Sequence, residues 1–132
     1  MAGMKIIANS LPADGWDVER NIDVDEDLWE VKGSGGVLAG YDALNMSDTV
    51  LYLKFYNGPA HQVTLGVTEP ILTKPIPTLG GTDGAGRQEY WLPQGLSAFT
   101  EGITVAAVTG KTDSDTTGPS SDNDLMVHVT FK

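Results

Sequence analysis

The run Asp124-Leu125-Met126-Val127-His128-Val129-Thr130-Phe131 decides the fold class. Leu125, Val127, Val129 and Phe131 alternate with Met126, His128 and Thr130, and Lys132 continues the polar set. A period of two places all four apolar side chains on one face of a strand. Thr49–Tyr56 repeats the pattern: Leu51, Leu53 and Phe55 share one face, Val50, Tyr52, Lys54 and Tyr56 the other, and Asn57-Gly58-Pro59 closes the run. Working outward, β-type runs stand at Leu28–Lys32, Val37–Asn45, Gln62–Val67, Ile71–Ile76, Gln88–Leu92 and Ile103–Thr109. Turn residues punctuate them, drawn from 16 Gly and 7 Pro in 132 residues.

No stretch competes as a long helix. Asp14–Glu30 contains Gly15 and clustered Asp, all poor helix formers. About eight short strands with close turns predict an all-β protein, an antiparallel β-sandwich or jelly-roll-like single domain. Pro70, Pro75 and Pro77 have no N–H for a central ladder, so the run at 71–76 is expected at a sheet edge or in a bulged strand. Tyr90 and Trp91 alternate to opposite faces, so one of them is expected in the core. Residues 80–86 and 111–123 read as surface loops.

Charge divides the chain. Its 18 acids and 8 Lys or Arg give a net −10. Asp14, Asp17, Glu19, Asp23, Asp25, Glu26, Asp27 and Glu30 against Arg20 account for −7 of it. Residues 1–30 are therefore expected to form an extended acidic N-terminal arm, and residues 31–132 the β-sandwich. Trp16, Ile22, Val24, Leu28 and Trp29 lie among those acids and are the candidate protein-interface residues, as apolar anchors that dock the arm on a neighbour. Acidity at this level argues against nucleic acid, whose backbone is bound through Lys and Arg. No apolar run approaches the roughly 20 residues of a membrane span. The segment from Met1 to Ala8 is expected to be too short and too weakly basic for a signal peptide.

The absence of cysteine removes disulfides, thiolate nucleophiles and Cys-based metal sites. His61 and His128 are the candidate bases for Ser–His–Asp chemistry, but no Gly-x-Ser-x-Gly elbow accompanies them. Both read better as ordinary β-domain histidines, and no enzyme activity and no cofactor are expected. Calcium is the best chemical candidate. Asp113, Asp115, Asp122 and Asp124 bracket one oxygen-rich loop and Asp23–Asp27 forms a second, though neither has EF-hand spacing. A solvated loop is the stronger reading, because Asp, Ser, Asn and Thr are ordinary turn formers.

From Val37 onward the chain resembles a family of small structural proteins of tailed bacteriophages. The resemblance lies in phrases and their order. Tyr52-Leu53-Lys54-Phe55-Tyr56-Asn57 is similar to the family's strand ending in a Phe/Leu-Tyr-Asn turn. Thr68-Glu69-Pro70-Ile71-Leu72 and Pro75-Ile76-Pro77 resemble its prolyl edge segment. Leu92-Pro93-Gln94-Gly95-Leu96, Phe99 and Gly102-Ile103-Thr104-Val105-Ala106 follow, then Thr109-Gly110, Asp113 and Asp115-Thr116-Thr117 before the terminal β-run. The resemblance implies a β-sandwich virion component, assembled in the host cytoplasm and acting on the capsid surface or in tails and fibres.

Residues and resemblance lead to one expectation: a non-enzymatic capsid decoration (cement) protein that binds the head exterior and bridges capsid subunits. Its partners would be the major capsid protein or another virion protein and further copies of itself, as a trimer or dimer, with no nucleic acid and no membrane. Deleting residues 1–30 is expected to weaken that attachment. The alternatives are a tail, baseplate or head-fibre component, or a carbohydrate- or receptor-binding module using Tyr and Trp as its platform.

Overall fold

A computed structural model describes residues 15–78 and 86–132. These residues form eight strands: β1 (Asp17–Asn21), β2 (Trp29–Lys32), β3 (Gly36–Asn45), β4 (Leu51–Asn57), β5 (Leu72–Ile76), β6 (Arg87–Phe99), β7 (Ile103–Val108) and β8 (Leu125–Phe131). They make two antiparallel four-stranded sheets, β1-β8-β3-β6 (sheet A) and β2-β7-β4-β5 (sheet B), packed as a β-sandwich. The pairing is nested: β1 with β8, β2 with β7, β3 with β6 and β4 with β5, a long hairpin folded over on itself.

The alternation in the sequence explains the core. Leu125, Val127, Val129 and Phe131 of β8, with Leu38, Tyr41 and Ala43 of β3, face Leu51, Leu53 and Phe55 of β4 and Ile103, Val105 and Ala107 of β7. Tyr41 reaches across the sandwich to Phe55, with ring centroids 5.5 Å apart, and its hydroxyl donates to Gln88 Oε1 at 2.9 Å. Of the pair Tyr90 and Trp91, Tyr90 packs on this core and Trp91 is exposed.

A polar side-chain contact bridges the sheets at each lateral edge. On one side, Trp29 of β2 donates its indole N–H to Glu19 Oε1 of β1 at 2.8 Å. On the other, the Lys74 ammonium of β5 lies 4.0 Å from the Tyr90 ring centroid of β6. Lys74 stands opposite Leu53, so it points into the sandwich from an edge strand, and Pro75 follows it. An inward charge and a proline both discourage another chain from adding to that edge. The edge placement of the prolyl run is thus as its sequence requires.

The expected division at residue 30 does not hold among the described residues. Asp17–Asn21 is a full member of sheet A, paired with β8 from Asp17↔Phe131 to Asn21↔Val127. Val24 is only 1% exposed and belongs to the main core. An edge strand needs main-chain pairing and one partly covered face, so its polar side chains remain solvated and acidic composition does not prevent it. Residues 1–14 of the expected arm, and 80–85 of the expected loop, lie outside the described residues. A second difference concerns Gln62–Val67. Val63 and Leu65 suggest a strand, but the segment follows a 3-10 turn at Ala60–Gln62 and folds as further turns.

That segment helps roof the outer face of sheet B. Tyr56, Val63 and Ala106 form a small second core, joined by Leu28 and Leu65. Lys54 is wholly buried beneath this roof, and its ammonium donates to the carbonyl of Thr112, pinning the loop after β7. The outer face of sheet A has no such roof over Trp91. No helix among the described residues is long and apolar enough to cross a membrane.

Candidate functional site

Two surfaces separated by the length of β1 stand out. At the C-terminal end of β1, residues 22–28 cross from sheet A to sheet B. Val24 N–H donates to the Leu125 carbonyl at 2.9 Å, and Ala107 N–H donates to the Asp25 carbonyl at 2.8 Å. The turn is stiffened by its own carboxylates: Asp25 Oδ1 accepts from Asp27 N–H at 2.9 Å, and Asp23 Oδ1 accepts from Asn123 N–H at 2.8 Å. Residues 46–50 and 119–124 lie at the same end, because Met46 N–H donates to the Asp124 carbonyl and Asn45 stands opposite Leu125. These three segments contain Asp23, Asp25, Glu26, Asp27, Asp48, Asp122 and Asp124 and no Lys or Arg.

The cluster shows in the electrostatics of Asp25. Burial raises its pKa first, the Asp27 N–H pulls the other way, and the charges of Asp27, Asp23 and Glu26 raise it further. Among the described residues no ion pair within 4 Å reaches Asp23, Asp25, Glu26 or Asp27. Ile22 protrudes beside them, 52% exposed.

The five candidate interface residues therefore separate. Ile22 is exposed at the acidic end. Val24 is core, which removes it from any interface. Leu28 packs under the roof of sheet B, and Trp29 packs on the main core. Trp16 lies at the other end of β1, roughly 20 Å away at about 3.3 Å per strand residue.

The calcium candidates do not converge: the described residues contain no group of three or more acidic or His side chains able to hold a metal. Asp115 Oδ1 instead accepts from Thr117 N–H, and Asp124 Oδ2 from Ser121 N–H, both at 3.2 Å. Burial works against the Asp115 charge, but the N–H groups of Thr117 and Gly110, the Thr117 hydroxyl and Lys54 outweigh it and lower the pKa. His61 is exposed at the 3-10 turn. His128 stands between Arg20 and Asp42 on the outer face of sheet A.

The second surface was only half legible in the sequence. On the outer face of sheet A, Leu96 pairs with Leu38 and Trp91 with Gly40, so residues 92–95 all stand opposite Ala39. This bulge opens a groove of about 240 Å³ lined by Trp16, Ala39, Trp91, Leu92, Pro93 and Thr130. Trp91 rests on Gly40: a Cβ there would come within 2.2 Å of the Tyr90 carbonyl oxygen and 2.5 Å of Trp91 Cε3. Glycine at 40 is what lets the indole settle on the sheet. Trp16 approaches Gly95, whose φ of +80° suits glycine, and the Lys132 ammonium lies 4.7 Å from the Trp16 ring centroid. On the other side of Trp91 from Leu92 and Pro93, Arg87 binds Asp42 through two 3.1 Å contacts and Glu89 Oε2 at 3.3 Å, and Glu89 in turn adjoins the Trp91 indole. No family model, curated protein or solved structure matches the chain.

Proposed function

We propose that this chain is a structural protein of a tailed-phage virion, a capsid decoration protein that binds the head exterior and works by docking, not by catalysis. The observation that carries the reading is the acidic end. Seven acids in three adjoining segments, with Asp25 held at a raised pKa, form a cluster of like charge beside an exposed Ile22. A basic patch on a partner would relieve that repulsion, and Ile22 would add an apolar contact at its centre. The phrases that resemble the phage family supply the identity of that partner, a capsid subunit.

The nested strand pairing supports the reading at the level of architecture. We take it as the winding of a jelly roll, an arrangement used by viral capsid domains and by lectins. Architecture alone assigns no function. A net charge of −10 also favours a protein that accumulates free before assembly, since charge far from zero maintains solubility. The test is a stained gel of purified virions of the encoding phage. The expected result is a band of this protein; its absence from virions would end the proposal.

A further inference from the structure

Trp91 is 52% exposed, yet it is a fixed residue, seated on Gly40 and neighboured by Glu89, whose carboxylate lies 3.5 Å from the indole nitrogen. One ring face is therefore backed by the sheet and the other is presented to solvent. The bulge at 92–95 and Trp16 turn this platform into a groove whose volume of about 240 Å³ falls just below the roughly 300–1,000 Å³ of pockets for drug-sized ligands. It has room for a ring, not for a protein domain.

The chemistry around the groove narrows the occupant. An apolar aromatic face bordered by a rigid polar fork suits a molecule with one C–H face and a rim of hydroxyls. The fork is Arg87 with Asp42 and Glu89, each group held in place by the others and each with exposed atoms left to donate or accept. Among the described residues, Arg20, Arg87 and Lys132 lie on this face against Asp42 and Glu89, a balance of +1 on a chain of −10. A face so nearly balanced is not matched to a strongly charged ligand, and the acidic remainder repels anionic polymers. A protein partner fits less well, because a stable interface buries about 800 Å² on each side around an apolar centre, and here the two aromatic walls are flanked at once by Glu89, against Trp91, and Lys132, over Trp16.

We propose that the Trp16–Trp91 groove is a binding site for a neutral saccharide, with a pyranose ring stacked on Trp91 and its hydroxyls on the Arg87–Asp42–Glu89 fork. The site lies at the opposite end of β1 from the acidic cluster, so a particle-bound copy would leave it facing outward.

The test is a tryptophan-fluorescence and calorimetric titration of the full chain with cellohexaose, xylohexaose, maltohexaose and chitohexaose, with polygalacturonate as the anionic comparison. At least one neutral oligosaccharide is expected to bind with a Kd of about 1 mM or tighter. Trp91→Ala is expected to weaken that binding at least about 10-fold with an unchanged circular dichroism spectrum, and Trp91→Tyr to restore part of it. The proposal is overturned if no neutral sugar binds at about 10 mM, if Trp91→Ala binds as the natural chain does, or if only polygalacturonate binds. It is equally overturned if the face proves instead to be covered by a protein partner whose release depends on Trp91. None of these results bears on whether the protein is present in virions, so the two proposals fail separately.

Discussion

Gly40 and Asp25 illustrate how single residues shape the two surfaces. At Gly40 the missing Cβ lets an indole lie against the backbone, so the exposure of Trp91 follows from the residue opposite it. At Asp25 the cost of burial and of three neighbouring acids is carried in the folded state. Because the folded pKa is raised, the folded chain holds that proton more tightly than the unfolded chain, and stability falls as pH rises through the carboxylate range. Asp25→Asn retains the Oδ1 acceptor for Asp27 N–H while removing the charge. It is expected to stabilise the fold at pH 7 by a few tenths of a kcal/mol, solvent keeping the gain small. The gain should vanish near about pH 3, where Asp25 is protonated. Urea unfolding at both pH values checks this; a variant less stable at pH 7, or a gap unchanged at pH 3, would contradict it. Asp115 acts in the opposite sense, since its pKa is lowered and its contribution is lost as pH falls.

Strands differ in how openly the sequence shows them. β8 and the Leu51–Tyr56 part of β4 were legible because each gives one face wholly to aliphatic or aromatic core residues and puts mainly polar or hydroxyl-bearing side chains on the other, even where that other face of β4 is itself roofed over. β1 was hidden because its core-side positions, Asp17, Glu19 and Asn21, are all polar, while Val18 stands with Arg20 on the outer face, so no apolar alternation marks it. Gln62–Val67 failed in the opposite direction, since its apolar residues serve the small core outside sheet B and not a ladder. Deletion of residues 1–30 is therefore a poor probe of attachment, because it removes β1, Val24 and the Trp29–Glu19 contact that closes an edge. Edge strand β5 gives a cleaner prediction. Lys74→Val combined with Pro75→Val removes both guards of that edge. Self-association is expected to rise, seen as larger species in sedimentation velocity at micromolar protein. A strictly unchanged sedimentation profile would show that Lys74 and Pro75 do not guard it.

Across the whole molecule, β1 separates an acidic end from an aromatic groove, and each end has its own chemistry. The charge cluster, Trp16 and Trp29 were all visible in the sequence but were assigned to one arm, because distance along the chain stood in for distance in space. Folding moved Trp16 to one end, Ile22 and the acids to the other, and Val24 into the core. The bulge that makes the groove was not legible, since a register shift depends on the partner strand and leaves only Pro93 and Gly95 as local hints. The proposed docking through the acidic end makes a direct statement about capsid binding. The most direct measurement is co-sedimentation of the purified chain with capsids stripped of it, compared with the variant Asp23→Asn, Asp25→Asn, Glu26→Gln and Asp27→Asn at rising salt. The account expects the natural chain to bind in many copies per capsid at low salt and to be released as salt rises, with the variant binding at least about 10-fold more weakly. Failure of the natural chain to sediment with capsids, or equal binding by the variant, would contradict it.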